Sequence, residues 1–166
     1  IKSKDNAFEL EMDITPNITG ITGIELYNAK GENVKIYFDT KERKLVMDRT
    51  ESGLIEFGKL SVPHDIEKNY SDVHQGAGNT PFRVFNSVNY KNDFALGTWA
   101  PLSLCKGKTY HVDIFVDKCS VEIFVDGGRI AMTNLVFPTT PYTSIKFYNK
   151  GTSASFHNIK ISELSL

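Results

Sequence analysis

The stretch HVDIFVDKCSVEIFVDGGRIAMTNLVF, residues 111–137, decides the fold class. Apolar and polar side chains alternate over His111–Val116 and again over Val121–Val125, which is typical of strands that bury one face. A short polar link joins these two strands, and the turn Asp126–Arg129 leads into a third strand, Ile130–Phe137. The stretch therefore predicts three consecutive antiparallel strands.

The same alternation recurs through most of the chain. In Phe8–Ile14, for example, apolar residues occupy every second position and acidic residues lie between them. A change of phase at His157-Asn158 indicates a β-bulge near the end of the chain. Between residues 58 and 97 the period is lost, and we predict only one or two helical turns there, at Asp65–Val73. The further predicted strands are Phe8–Ile14, Ile24–Tyr27, Val34–Asp39, Lys44–Asp48, Thr143–Tyr148 and Ser153–Ile161.

Many short strands separated by turn signals predict an all-β fold. We expect a two-sheet antiparallel β-sandwich of the jelly-roll or concanavalin-like type. No internal repeat or linker divides the sequence, so residues 1–166 are expected to form a single domain. The composition, 40% hydrophobic and 23% charged, is ordinary for a globular protein, and we expect the chain to fold without disulfide or metal staples.

Charge and cysteine content argue against several classes of function. A net charge of −1 and scattered lysines offer no field for a phosphate backbone, so no nucleic-acid partner is expected. No run approaches the roughly 18 apolar residues of a membrane span. Cys105 and Cys119 are fourteen positions apart, which fits neither a metal-ligand spacing nor a disulfide framework. Two free thiols are therefore favoured over a bridge.

The sequence also lacks the usual patterns for a metal ion or an organic cofactor. Its four histidines form no HxH or HxxxH arrangement and have no neighbouring acid at ligand spacing. Gly76–Gly78 lacks the flanking strand and helix of a phosphate-binding loop, and no Ser or Cys occurs in a GxSxG sequence. We therefore expect no metal, no cofactor and no acyl-transfer chemistry.

One predicted sheet face combines carboxylates with aromatic rings. If Val112, Ile114 and Val116 face the core, the residues between them face outward, and the same holds for the next strand. The outward set is His111, Asp113, Phe115, Asp117, Glu122 and Phe124. Sugar sites need this mixture, because carboxylates accept hydrogen bonds from hydroxyls while a ring covers the C–H face of the sugar. The alternative is a solvated face, or a face covered by a partner domain.

Two further features admit two interpretations each. Arg49 can donate paired hydrogen bonds to vicinal sugar oxygens or clamp a nearby carboxylate. Trp99, the only tryptophan, can stack on a sugar ring, but a lone tryptophan in a β protein is more often part of the core. The candidate carbohydrate-binding residues are therefore Asp48, Arg49, Trp99, Asp117 and Glu122.

Three segments together resemble one known family. The run FVDKCSVEIFVDGGR, residues 115–129, resembles the signature near the end of glycoside hydrolase family 32, the invertases, levanases, inulinases and fructan β-fructosidases. Asp48–Gly53 resembles the family's Asp-Arg-x-x-Ser-Gly segment, and Trp99–Leu102 resembles its Ala-Pro-Leu step. The three segments occur in the family's order. This chain departs from the pattern at Gly97–Trp99, where an Arg is expected, and at Cys119, which replaces a Ser.

The resemblance covers roughly residues 8–166 and implies the family's non-catalytic C-terminal sandwich. The active site of these enzymes belongs to an upstream five-bladed propeller, marked by Asn-Asp-Pro-Asn, Arg-Asp-Pro and Glu-Cys segments, and none of the three occurs in this sequence. We therefore expect this chain not to be an enzyme by itself. The implied partner is the propeller domain of the same polypeptide, and the implied location is extracellular, at the cell surface or periplasmic.

Two roles are compatible with this resemblance. A module that stabilises or assembles the parent enzyme predicts an apolar, uncharged patch on one sheet face, and docking there would explain Phe115 and Phe124. A fructan-binding module is the alternative, since the family 66 carbohydrate-binding modules resemble the same sandwich. An Arg49 buried in a pair with Asp117 or Glu122 would favour the structural role, whereas an exposed pocket with unpaired groups would favour binding.

Overall fold

The structure is a computed structural model that describes residues 1, 7–55, 94–103 and 105–164. Within these residues the chain forms ten β-strands. They are β1 (Phe8–Thr15), β2 (Ile21–Tyr27), β3 (Asn33–Asp39), β4 (Lys44–Glu51), β5 (Gly97–Pro101), β6 (Tyr110–Val116), β7 (Ser120–Val125), β8 (Ile130–Leu135), β9 (Ser144–Lys150) and β10 (Ser155–Glu163).

The ten strands form two five-stranded sheets. The front sheet has the order β10-β1-β6-β7-β8, and the back sheet has the order β5-β4-β3-β2-β9. Neighbouring strands are antiparallel throughout both sheets. The predicted all-β, two-sheet antiparallel sandwich is therefore confirmed.

The core lies between the inner faces of the two sheets. Alternate side chains of β1, β6 and β7 are buried against those of β2, β3 and β4, because the two-residue period turns every second side chain inward. The rings of Phe38 and Tyr110 meet across the two sheets, with their centroids 5.3 Å apart. Full burial of one such apolar side chain contributes about 1.5–3 kcal/mol, so these central strands supply most of the stabilisation.

The two sides of the sandwich are closed differently. On the β5–β8 side, which we call the closed edge, the buried Asn134 donates from Nδ2 to Thr98 Oγ1 at 2.8 Å. Arg49 Nη1 donates to the Leu135 carbonyl oxygen at 3.0 Å on the same side. On the β9–β10 side the two sheets meet through the rings of Phe147 and Phe156, whose centroids are 5.1 Å apart.

Most strand predictions are confirmed to within a few residues. The predicted strand Ile130–Phe137 ends earlier, at Leu135. The predicted bulge at His157-Asn158 is confirmed by a register shift between β1 and β10 and by the positive φ of 51° at Asn158. Strand β5 was not predicted, because its five residues include Gly97 and Pro101. The predicted helical turns at Asp65–Val73 lie outside the described residues.

Cys105 and Cys119 are both free and exposed, so the prediction of free thiols is confirmed. Among the described residues, no helix has the length and apolar character needed to cross a membrane.

Gly23, in the middle of β2, has no space for a side chain. A Cβ atom there would lie 2.1 Å from the carbonyl oxygen of Ile36 and 2.5 Å from the Cβ of Tyr37. Gly97 provides a contrast within the same sheet, because a Cβ atom added there would lie 3.6 Å from its nearest neighbour, a methyl carbon of Val46.

We expect Gly23→Ala to destabilise the protein by about 1–3 kcal/mol, because the new methyl group must push the β3 backbone away. Gly97→Ala is the matched control and is expected to stay within about 0.5 kcal/mol of the wild type. Urea unfolding followed by circular dichroism measures both values. Equal stabilities for the two variants would contradict the close packing at Gly23.

Candidate functional site

The structure does not bring the five predicted carbohydrate-binding residues into one site. They are Asp48 and Trp99 on the outer face of the back sheet, Glu122 on the outer face of the front sheet, Asp117 in the turn after β6, and Arg49 at the closed edge. Asp48 and Trp99 share one face because strands β4 and β5 are paired there. Arg49 and Glu122 lie away from that surface.

Asp117 has a local structural role. Its backbone N–H donates to the Ser120 carbonyl oxygen at 3.0 Å, and its Oδ1 accepts a hydrogen bond from the Cys119 backbone N–H, also at 3.0 Å. These two bonds close the β6–β7 turn. Asp117 therefore stabilises this turn through both its backbone and its side chain.

Arg49 is held between the two sheets at the closed edge. Besides its bond to Leu135, its guanidinium carbon lies 4.1 Å from the centroid of the Phe94 ring. Its Nε is buried without a hydrogen-bond partner, and burial lowers the pKa of the guanidinium below its ordinary value. No carboxylate of the described residues forms an ion pair with it, so the pair with Asp117 or Glu122 that would favour a structural role is not formed there. Arg49 lies between the two sheets, whereas Glu122 lies on the outer face of the front sheet.

The outer face of the front sheet carries the predicted mixture of acids and rings. Phe115 and Phe124 form an edge-to-face pair with centroids 5.8 Å apart, and Glu122 lies directly opposite Phe115. The predicted outward placement of these side chains is therefore confirmed. Because Asp113 and Glu122 share the face with the two rings, it is not the uncharged docking patch that a structural role predicts.

His111 lies between carboxylates on the same face. Its Nδ1 is 2.8 Å from Asp13 Oδ1, and its Nε2 is 3.1 Å from Asp113 Oδ1. Hydrogen bonding to Asp13, partly opposed by burial, raises the pKa of His111. Hydrogen bonds from Asn158 and then from His111 lower the pKa of Asp13. Glu11 completes the group, since one potential ligand atom from each of Glu11, His111 and Asp113 lies within 4.8 Å of the others.

Sequence reasoning missed this group of side chains. One signal was present, because His111 and Asp113 are two positions apart on a predicted strand and therefore share a face. The contribution of Glu11 depends on the register of β1 against β6, which places it directly opposite Asp113. Nothing in the alternation fixes that register between strands that are distant in the sequence.

An aromatic row crosses the outer face of the back sheet. Its members lie opposite one another on successive strands and are Trp99, Val46, Tyr37, Gly23 and Tyr148. Trp99 is 57% exposed, so its interpretation as a core residue is wrong. The alternation along edge strand β5 turns it away from the other sheet. Tyr37 and Tyr148 meet over Gly23, with ring centroids 6.4 Å apart.

Charged groups lie close to the aromatic row. Lys44 Nζ is 4.4 Å from the centroid of the Trp99 ring. Burial, followed by the negative charge of Asp48, raises the pKa of Tyr37. Burial also raises the pKa of Tyr148. Both phenols therefore keep their protons at neutral pH and can donate hydrogen bonds, while Asp48 accepts them and Lys44 donates them.

On the β9–β10 side, which we call the open edge, the side chains that point between the two sheets are partly exposed. The residues of the open edge are all apolar and are Ile145, Phe147, Phe156, Ile159 and Ile161. Register places Phe147 and Ile161 opposite the buried Ile24 and Leu10, so both side chains point toward the core side of their sheets. Even so, Ile159 and Ile161 are each 47% exposed, and Phe147 is 39% exposed. Apolar side chains that point inward are therefore left in contact with water.

Two packed antiparallel sheets with a buried interlayer core define the class of this protein as a β-sandwich module. The model of the family described as glycosyl hydrolases family 32, C terminal, matches residues 1–163. The chain therefore belongs to that family of C-terminal domains. The resemblance identified from residues 48–53, 99–102 and 115–129 is confirmed.

The chain is similar in sequence to a levanase and in fold to two solved structures. It is 35% identical over 95 residues to the levanbiose-producing levanase of Bacillus subtilis (strain 168), an alignment that covers 57% of this chain and 17% of that protein. The fructosyltransferase of A. japonicus superimposes with a TM-score of 0.64 at 16% identity over 98% of this chain and 23% of its own. The galectin LEC-6 of Caenorhabditis elegans gives a TM-score of 0.57 at 12% identity over 98% of this chain and 87% of its own. The two structural likenesses show the fold alone, and this chain spans less than a quarter of the levanase and of the fructosyltransferase.

Proposed function

We propose that this chain is the non-catalytic C-terminal module of a fructan- or sucrose-cleaving glycosidase. Its role is to stabilise the parent enzyme by docking, through the open edge, against the catalytic propeller domain of the same polypeptide. The observation that carries the proposal is the exposure of Phe147, Ile159 and Ile161 on the inner side of β9 and β10. Membership of the family of C-terminal domains supports it.

The open edge has the chemistry of a docking surface. Its five members carry no charge, so a partner can cover them without removing water from an ionised group. Complete burial of each half-exposed isoleucine by a partner would contribute about a further 1 kcal/mol of stabilisation. A contiguous strip of such residues is typical of an interface with another protein surface. The structural role predicts an apolar, uncharged patch on one sheet face. In the structure the exposed apolar residues form a strip at the open edge instead.

A non-catalytic role agrees with the distribution of the acids. Glycosidases hydrolyse with two carboxyl groups that face each other across the sugar, about 5–9.5 Å apart. Here Glu11 is held by Lys160 at 2.6 Å, and Asp126 is held by Lys108 at the same distance. Both carboxylates are thus engaged in ion pairs with lysines on the protein surface.

A second candidate function is carbohydrate binding on the aromatic row. The observation that favours it is the exposed ring of Trp99 beside Lys44, on the same sheet face as Asp48 and the two protonated tyrosines. An aromatic ring covers the apolar C–H face of a sugar, and the polar groups around it exchange hydrogen bonds with the hydroxyls. Fructan oligosaccharides are the ligand class that the names of the similar levanases suggest. Docking through the open edge leaves this outer face free, so the two functions are compatible.

We expect the double variant Ile159→Thr/Ile161→Thr to shorten the half-life of the parent enzyme's activity at elevated temperature. Each substitution removes about 1 kcal/mol of buried apolar contact from the docked state. Leu135→Thr is the matched control, because Leu135 is 52% exposed on the outer face of the opposite side of the sandwich. The measurement is the half-life of the activity during heating, with activity assayed as fructose release from sucrose, inulin and levan.

An unchanged half-life in the double variant, or an equal loss in the Leu135 control, would contradict docking through the open edge. This chain alone is expected to release no fructose from the same three substrates. Measurable release by the purified chain would overturn its non-catalytic role.

We expect fructan oligosaccharides to quench or shift the fluorescence of Trp99 if the aromatic row binds them. Because the chain has one tryptophan, the signal reports on this surface alone. Asp48→Asn is expected to weaken the apparent affinity about tenfold, since the amide replaces a charged acceptor. Glu122→Gln on the opposite sheet is the control and is expected to change nothing. An unaltered spectrum at millimolar levan and inulin oligosaccharide would remove this second candidate.

A further inference from the structure

Three side chains with metal-ligand atoms meet on the outer face of the front sheet. Glu11 lies on β1, and His111 and Asp113 lie two residues apart on the neighbouring β6. Glu11 is directly opposite Asp113, which brings the two carboxylates and the imidazole to one point. The arrangement is fixed by two central strands and not by a loop, so its geometry is determined by the sheet.

We infer that Glu11, His111 and Asp113 form a binding site for a divalent first-row metal ion of the Zn²⁺ type. One imidazole nitrogen and two carboxylate oxygens are a donor set that zinc accepts. Bonds of about 2.1 Å in a tetrahedral site hold two ligand atoms about 3.4 Å apart. His111 Nε2 and Asp113 Oδ1 lie 3.1 Å apart as an ion pair, and one ligand atom from each of the three residues lies within 4.8 Å of the others. Small side-chain movements therefore bring the three atoms to the spacing that a zinc ion requires.

The imidazole of His111 is oriented from behind by a second carboxylate. Asp13 Oδ1 lies 2.8 Å from Nδ1, which leaves Nε2 facing Asp113. A metal-binding histidine typically donates its other ring N–H to a carboxylate in this way, which fixes the ring and its tautomer. Asp13 is itself held, because Asn158 Nδ2 donates to its Oδ2 at 2.6 Å.

The bulge in β10 supplies this outer support. Asn158 adopts a φ of 51° at the point where the register between β1 and β10 shifts. The bulge re-aims its side chain toward Asp13 on the neighbouring strand, as bulges commonly do near functional sites. Asn158 thus contacts Asp13, and Asp13 contacts the imidazole of His111. This chain of hydrogen bonds ends at the three ligand atoms.

The site is accessible and already attracts a cation. The side chains of Asp113 and Glu11 are 20% and 29% exposed, and that of His111 is 50% exposed, so an ion can enter from water and keep open coordination positions. The ammonium of Lys160 lies 2.6 Å from Glu11 Oε2. Since the Lys160 side chain is 65% exposed, it can swing into solvent when a metal ion takes its place beside Glu11.

Calorimetric titration of the metal-free chain with zinc chloride tests this inference. We expect one zinc ion to bind per chain, and His111→Gln and Asp113→Asn to weaken binding at least tenfold. Glu9→Gln is the matched control, because Glu9 lies on the same face of β1, two residues from Glu11. It removes the same charge and is expected to leave the affinity unchanged. Circular dichroism confirms that each variant is folded.

Lys160→Met provides an opposite prediction. It removes the ammonium that competes for Glu11, so zinc is expected to bind more tightly than to the wild type. The inference is overturned if the wild type binds no zinc at millimolar concentration, which leaves a metal-free ion-pair cluster. It is equally overturned if His111→Gln binds zinc as well as the Glu9 control does, or if Lys160→Met weakens binding.

Discussion

The packing of alternate side chains between the two sheets is the constraint on which the rest of the structure depends. Strands β1, β6 and β7 bury one face against β2, β3 and β4, and this contact fixes which side chains every other strand turns inward or outward. The closed edge continues the contact through Asn134 and Arg49. At the open edge it ends before the inward-facing side chains of β9 and β10 are covered, and the exposed apolar strip is the result.

The alternation of side chains along each strand also places the candidate functions on different surfaces. Side chains that do not enter the core lie on one of two outer faces, and each face has its own chemistry. The back sheet carries the aromatic row, and the front sheet carries the carboxylates around His111. The proposed docking surface lies on neither outer face. A parent enzyme that covers the open edge therefore leaves both outer faces available to a sugar or an ion.

The sequence predicted what depends on local alternation and turn chemistry, and it could not predict what depends on register or on the position of an edge. The strands His111–Val116 and Val121–Val125 and the bulge at Asn158 follow from residues that are neighbours in the chain. The meeting of Glu11 with Asp113 requires a pairing across about 100 residues, and no local signal encodes it. Trp99 is exposed because β5 is an edge strand, which composition does not reveal.

Amide hydrogen exchange of this chain, compared by itself and within the full parent polypeptide, tests the central claim most directly. Docking through the open edge predicts slower exchange in β9 and β10 within the parent, because a covered edge opens less often. Strands β3 and β4, which are central in the back sheet, should exchange at the same rate in both. Equal exchange of β9 and β10 in the two forms, or protection confined to β5 and β8 at the closed edge, would contradict the account.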